Sequence, residues 1–134
     1  MAGQGLTGAS VEIDRGGYAL AAEARWVGAD LLVCIWGGEA PHIGAVAMAT
    51  PRPSLADPQA TSATASVFTY VGHKEDRLAQ EAAEALAAAL NCRAVVTAGC
   101  HWDSLDAQGI SQVKQISREL VDQLRQRLLQ QREK

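Results

Sequence analysis

The sequence predicts a single α+β domain, with a mainly antiparallel sheet flanked by two C-terminal helices. Three observations carry that expectation. Short stretches of alternating or continuous apolar character fill most of residues 10–71, as strands require. Two later stretches place apolar residues three and four apart, the spacing of helices. One further β-branched run lies between those two, so the order reads β-β-β-β-β-α-β-α. No repeat or linker divides the 134 residues, and a chain of this length suits one domain.

Composition narrows the function classes. Hydrophobic residues make up 48%, but 25 of them are alanine, so layers must pack closely around small side chains. A net charge of −3 without a cluster of Lys and Arg argues against nucleic acid as a partner. No apolar run approaches the roughly 20 residues of a membrane helix. The opening Met-Ala-Gly-Gln-Gly lacks the basic and apolar regions of a secretory signal. Cys34, Cys92 and Cys100 are odd in number, irregularly spaced and without a C-x-x-C pair, as expected of free thiols in a reducing cytoplasm.

Residues 1–8 are glycine-rich and predict a frayed end. Ser10–Asp14 alternates, Arg15-Gly-Gly17 reads as a turn, and Tyr18–Val27 completes a hairpin. On that second strand Glu23 and Arg25 share one face, and Leu20, Ala22, Ala24 and Trp26 share the other. Asp30–Trp36 is a continuous apolar run, the pattern of a central strand covered on both sides. It ends at Gly37-Gly38, and Ile43–Ala49 follows closely enough for a hairpin. Pro51–Ala60 contains three prolines and predicts an irregular surface loop. The later half of Thr61–Val71 is β-branched and alternating, which predicts a strand.

Lys74–Leu90 predicts a helix with a stripe of Leu78, Ala82, Leu86 and Leu90, ended by Asn91. Arg93–Gly99 is the last strand. The final helix runs from about Asp106 to Arg132, with Ser104 or Asp106 as its N-cap. Its seam is Ile110, Val113, Ile116 or Ser117, Leu120, Leu124 and Leu128. Residues 125–134 are so polar that a projecting helix end is expected.

All three histidines lie at glycine-containing junctions: Gly37-Gly-Glu-Ala-Pro-His-Ile-Gly44, Gly72-His-Lys-Glu-Asp76 and Ala98-Gly-Cys-His-Trp-Asp103. A helix joins the last two strands, which predicts that they run parallel with a right-handed crossover. Gly72, His73, Gly99 and His101 then share one sheet edge with both helix N-termini. If the strand ending at Trp36 points the same way, Gly38, Glu39 and His42 join them, along with Asp103. Such a rim, with Lys74 and, if the proline loop reaches it, Arg52, suits a phosphate or carboxylate. A divalent metal on His42, His73, His101 and Asp103 is the other chemistry. Neither helical H-E-x-x-H spacing nor a G-x-S-x-G elbow is present, so no catalytic group is assigned.

The three junctions resemble a known small family, the prenylated-flavin chaperone-like proteins. These are typified by the small accessory subunit encoded with bacterial gallate decarboxylase. The resemblance runs from about Tyr18 to Ile110 and is strongest at Pro41-His-Ile-Gly44 and Gly72-His-Lys74; Cys100 and Trp102 depart from it. It implies a fold similar to proteasome-assembly chaperones, commonly dimeric, and a non-catalytic accessory role. The partner it implies is a large decarboxylase subunit acting on aromatic acids, and the cofactor is prenylated flavin mononucleotide, bound transiently. Motif positions carry over as Gly38, Glu39, Pro41, His42 and Gly44, then Gly72, His73 and Lys74, then Gly99, His101 and Asp103. The alternative is a small metal-dependent enzyme using the three histidines and Asp103. A third reading is an interaction domain that dimerises through the dry sheet face or the Leu120–Leu128 seam.

Overall fold

A computed structural model describes residues 7–70 and 76–132. Six strands form one sheet: β1 (Gly8–Arg15), β2 (Tyr18–Val27), β3 (Asp30–Gly38), β4 (Ala45–Pro53), β5 (Thr61–Thr69) and β6 (Ala94–His101). Helix α1 (Asp76–Leu90) separates β5 from β6, and α2 (Ala107–Arg132) follows β6. The predicted α+β order therefore holds. Across the sheet the strands lie in the order β1-β2-β3-β6-β4-β5, antiparallel except for β3 with β6.

The first hairpin forms as expected, because Gly16 and Gly17 both adopt positive φ (63° and 87°), as its two-residue turn requires. The predicted hairpin of β3 with β4 does not form. Strand β6 lies between them, parallel to β3 and antiparallel to β4. The segment 39–44 must therefore cross β6. It does so over Gly99, where an added Cβ would lie 1.8 Å from the His42 carbonyl oxygen. Local pattern could not reveal the insertion, because β6 comes from more than forty residues downstream.

Strand β4 also corrects the proline loop, since Pro51 and Pro53 lie within it, paired with Ala63 and Thr61 of β5. Ser54 donates its N–H to Ala60 across the hairpin, so by alternation residues 51 and 53 direct their missing donors to the opposite edge. Pairing with β6 has stopped there at Ala49–Ala94, so no ladder bond is lost.

Register assigns the two faces. Ala24, Val33, Val96, Ala47 and Val67 form one cross-strand row, on the face that is buried beneath the helices. Helix α1 packs on β4, β5 and β6, and α2 packs on β1 and β2. Ala79, Ala82, Ala83 and Ala87 let α1 approach closely, and Leu86 and Leu90 fill what remains. Asn91, with φ of 49°, ends this helix, and Cys92 returns its N–H to Ala87.

The opposite row is Glu23, Cys34, Thr97, Val46 and Phe68, and among the described residues no helix lies on that face. Strand β3 is thus covered on one side only. Leu31, Val33 and Ile35 are buried, whereas Leu32 and Cys34 are exposed. The continuous apolar run was expected to mark two covered faces; here the second is open.

Helix α2 begins at its predicted cap, with Asp106 accepting the N–H of Gly109 at 2.7 Å. Ile116, Ser117, Leu120, Leu124 and Leu128 form its buried seam, while Ile110 is exposed, contrary to expectation. Ser117 satisfies its hydroxyl by donating to Val113 O at 2.7 Å. The last turns do not project. Leu128 is fully buried, Trp26 donates Nε1–H to Gln131, and Arg132 lies over the Trp26 ring. Arg127, Gln131 and Arg132 donate to the carbonyls of Ser10, Gly8 and Leu90. The polar side chains thus secure the start of β1 and the end of α1, so residue 8 is not frayed.

Two tests follow from this packing. Gly99→Ala should cost about 1–3 kcal/mol, seen as a melting temperature lower by roughly 4 °C or more, because two backbones must separate. An unchanged melting temperature would show that the 39–44 crossover is not pressed onto β6. Burial pushes the Cys92 thiol above its ordinary 9.0, with Arg132 opposing and Asp30 assisting. The folded thiol thus holds its proton longer than the unfolded one. Its contribution to stability is intact below the unfolded pKa and lost as pH rises through the folded one. Denaturation midpoints of wild type and Cys92→Ala, compared at about pH 8 and about pH 10, should show a larger alkaline loss for wild type.

Candidate functional site

The topology brings three strand ends to one edge. Strands β3 and β6 run parallel, and β5 shares their direction because both β5 and β6 are antiparallel to β4. Strands β5 and β6 are nevertheless not neighbours, since β4 lies between them. The ends at Gly38, Thr69 and His101 therefore converge, as the parallel reading requires. Gly72, His73 and Lys74 lie outside the described residues, and so does the start of the helix predicted there.

The remaining predicted residues form one small network. Gly38 pairs with His101, and Glu39 donates its N–H to His101 O at 2.7 Å. The Glu39 carboxylate accepts the N–H of Asp103 at 3.1 Å. Asp103 in turn accepts Nε2–H of His101 at 3.1 Å. Gly44 donates to Ala98 O at 2.9 Å, fastening the far end of the crossover to β6. His42 sits over Gly99 through its carbonyl, and its Nδ1 lies 2.8 Å from Ala40 O. Beside the network Trp102 meets Tyr18 edge to face at 5.6 Å. Arg52 is elsewhere, hydrogen-bonded to Thr64 and Pro53 on the β4–β5 hairpin.

What this network can do follows from its exposure. The side chains of His101 and Asp103 are mostly in water, so their pairing adds little stability. It orients the imidazole and leaves Nδ1 without a role in that bond. Cys100 projects to the helix side of the strand and His101 to the open side, so the thiol is not presented to the imidazole. Among the described residues no three His, Cys, Asp or Glu side chains gather as a metal site requires. The arrangement is one of anchoring: Glu39 and Asp103 tie the crossover to β6.

A model of the prenylated flavin chaperone LpdD-like domain matches residues 14–129. The chain belongs to that family. A search of curated proteins finds no match.

The stretch matching this chaperone-like domain reaches from the end of β1 almost to the end of α2, so it includes the whole rim. It also includes a feature absent from the sequence expectations. Between α1 and α2 lies a groove of about 390 Å³, floored by Leu78, Ala82 and Val113 and reaching Cys100 on β6. Arg77, Lys114, Arg118 and Arg125 border it. The signal was present as Lys114, Arg118 and Arg125 at four- and seven-residue spacing beside Val113, Ser117 and Val121. It was missed because the same spacing reads as the solvated flank of a helix.

Replacing Glu39 with alanine removes the acceptor that holds Asp103. Thermal denaturation should register a loss of about 0.5–1.5 kcal/mol, and amide exchange at Asp103 should accelerate. Unaltered exchange would exclude Glu39 as the tether.

Proposed function

We propose that this chain is a non-catalytic accessory protein for a prenylated-flavin-dependent aromatic-acid decarboxylase. It assists delivery or maturation of the cofactor, acts in the cytoplasm and works as a homodimer. Membership of the prenylated flavin chaperone LpdD-like family supports the accessory role. No helix among the described residues is long and apolar enough to cross a membrane.

The observation that carries the homodimer is the open sheet face. Leu32 is 39% exposed, Met48 59%, Phe68 62% and Tyr70 49%, all on the side away from the helices. Val95 and Val46 fill the places between them. Charged residues of that face lie on β1 and β2 (Glu12, Asp14, Glu23 and Arg25) and at the first residue of β3 and the far end of β4 (Asp30 and Arg52), outside the apolar centre. The occupant that suits it is a second copy. From strand spacing and rise, the face spans about 850 Å², near the roughly 800 Å² that each partner buries in a standard interface. Apolar halves then cover one another, and the charged halves lie at the rim of the interface. Face-to-face sheets also satisfy the two-sided apolar pattern of β3.

Mass measurement in solution should find twice the chain mass for wild type. Met48→Glu together with Phe68→Glu should weaken association by roughly 100-fold or more, about 2.7 kcal/mol, with unchanged circular dichroism. Cys34, central to the open face, should be alkylated slowly in wild type and quickly in that variant. A wild-type monomer at tens of micromolar would defeat the dimer. The accessory role is tested separately, by co-expression with a decarboxylase of this class. The decarboxylase should carry more cofactor and be more active with the chain than without it, and equal loading would end that reading.

A further inference from the structure

We infer that the groove between α1 and α2 binds a flat, largely apolar ligand bearing a phosphate, the chemistry of a flavin mononucleotide. The choice of ligand class rests on the accessory role proposed above; the site itself is argued from the groove. At about 390 Å³ it falls within the range of small-molecule pockets, which run from about 300 to 1,000 Å³. Its floor is Leu78, Ala82, Ala85, Val113 and Val121, suited to an aromatic ring system. The alanines of α1 make room for it, since a larger residue at Ala85 would fill the space between the helices.

The charge at its border is unlike that of the whole chain. The protein carries a net −3, yet four cations border the groove against two carboxylates, Glu81 and Asp122. Arg125 is already paired with Asp122 at 2.6 Å. Arg77, Lys114 and Arg118 make no hydrogen bond or ion pair among the described residues. Lys114 and Arg118 stand one turn apart on α2, so both can reach one anionic group. A phosphate at that border with its ring on the apolar floor uses both features at once. The ligand would lie on the helix side of the sheet, away from the face assigned to the second copy. It is also distinct from the His101 rim, because Cys100 reaches the groove and His101 projects to the other side.

The test titrates the full-length chain with flavin mononucleotide and with riboflavin, read by flavin fluorescence and calorimetry. The mononucleotide should bind at least tenfold more tightly, and the difference should shrink as salt rises. Lys114→Glu with Arg118→Glu should weaken the mononucleotide at least tenfold while leaving riboflavin nearly unchanged. Ala85→Trp, at an exposed position, should abolish binding of both without lowering the melting temperature. No binding by wild type, equal affinity for the two flavins, or undiminished binding by Ala85→Trp would each overturn the site. Loss of binding in His101→Ala with the groove variants unaffected would move the ligand to the rim and overturn it too. Protection of the groove only when the decarboxylase is bound would make it a protein-docking surface instead. Co-expression is read independently. Flavin binding in the groove without any gain in decarboxylase loading refutes the accessory role alone, whereas loading that survives groove variants with unaltered affinity refutes the groove alone.

Discussion

The insertion of β6 between β3 and β4 is the constraint on which the rest of this molecule depends. Parallel pairing with β3 sets Gly38 beside His101, so the two junctions meet at one edge. Antiparallel pairing with β4 requires the chain leaving β3 to pass across β6 before it can turn back. Only a residue without a side chain leaves space for that passage, and Gly99 supplies it. The ties from Glu39 to His101 and Asp103, and from Gly44 to Ala98, then hold the crossover in place. The His101 imidazole and the carboxylates of Asp103 and Glu39 thus belong to the network that fastens the crossover.

The second consequence is the uneven cover of the sheet. Two helices follow the first five strands, and both lie on the same face. Helix α1 sits over β4, β5 and β6, and α2 over β1 and β2, which leaves a join between them. Small side chains on α1 keep that join open as a groove. The far ends are closed more firmly, because Trp26, Gln131 and Arg132 lock the last turns of α2 onto the sheet. The helix layer is therefore closed at that end and open along the join between the two helices.

Most of the element order was legible in the sequence because it rests on local period. The alternation in Tyr18–Val27, the stripe through Leu86 and Leu90, and the cap at Asp106 all depend on near neighbours. The mistakes share one cause, which is contact with something distant in the chain. Pairing of β3 with β4 failed because β6 arrives from downstream. Pro51 and Pro53 could join a strand because β6 ends before reaching them. The polar residues 127, 131 and 132 pack inward because carbonyls at Ser10, Gly8 and Leu90 await donors there. At the candidate site, the convergence of Gly38, Glu39, His42, Gly99, His101 and Asp103 followed from strand direction alone. The groove did not, since it exists only where two helices distant in sequence stand side by side.

The reading of β3 makes a different point, because its local pattern described a state that one chain does not reach. A run of seven residues from Asp30 to Trp36, almost all apolar, is what a strand buried on both faces looks like. One chain buries Leu31, Val33 and Ile35 and leaves Leu32 and Cys34 in water. Exposed apolar area on this scale, continued by Met48, Phe68 and Tyr70, is stable in solution when another surface covers it. Pairing the open faces of two copies, as proposed, would bury that area and turn both helix layers outward. In the proposed dimer each groove would open to solvent on opposite sides of the assembly, where a ligand could reach it without undoing the pairing. Assembly and ligand exchange would thus use opposite faces of the same sheet, with the crossover at Gly99 holding its edge.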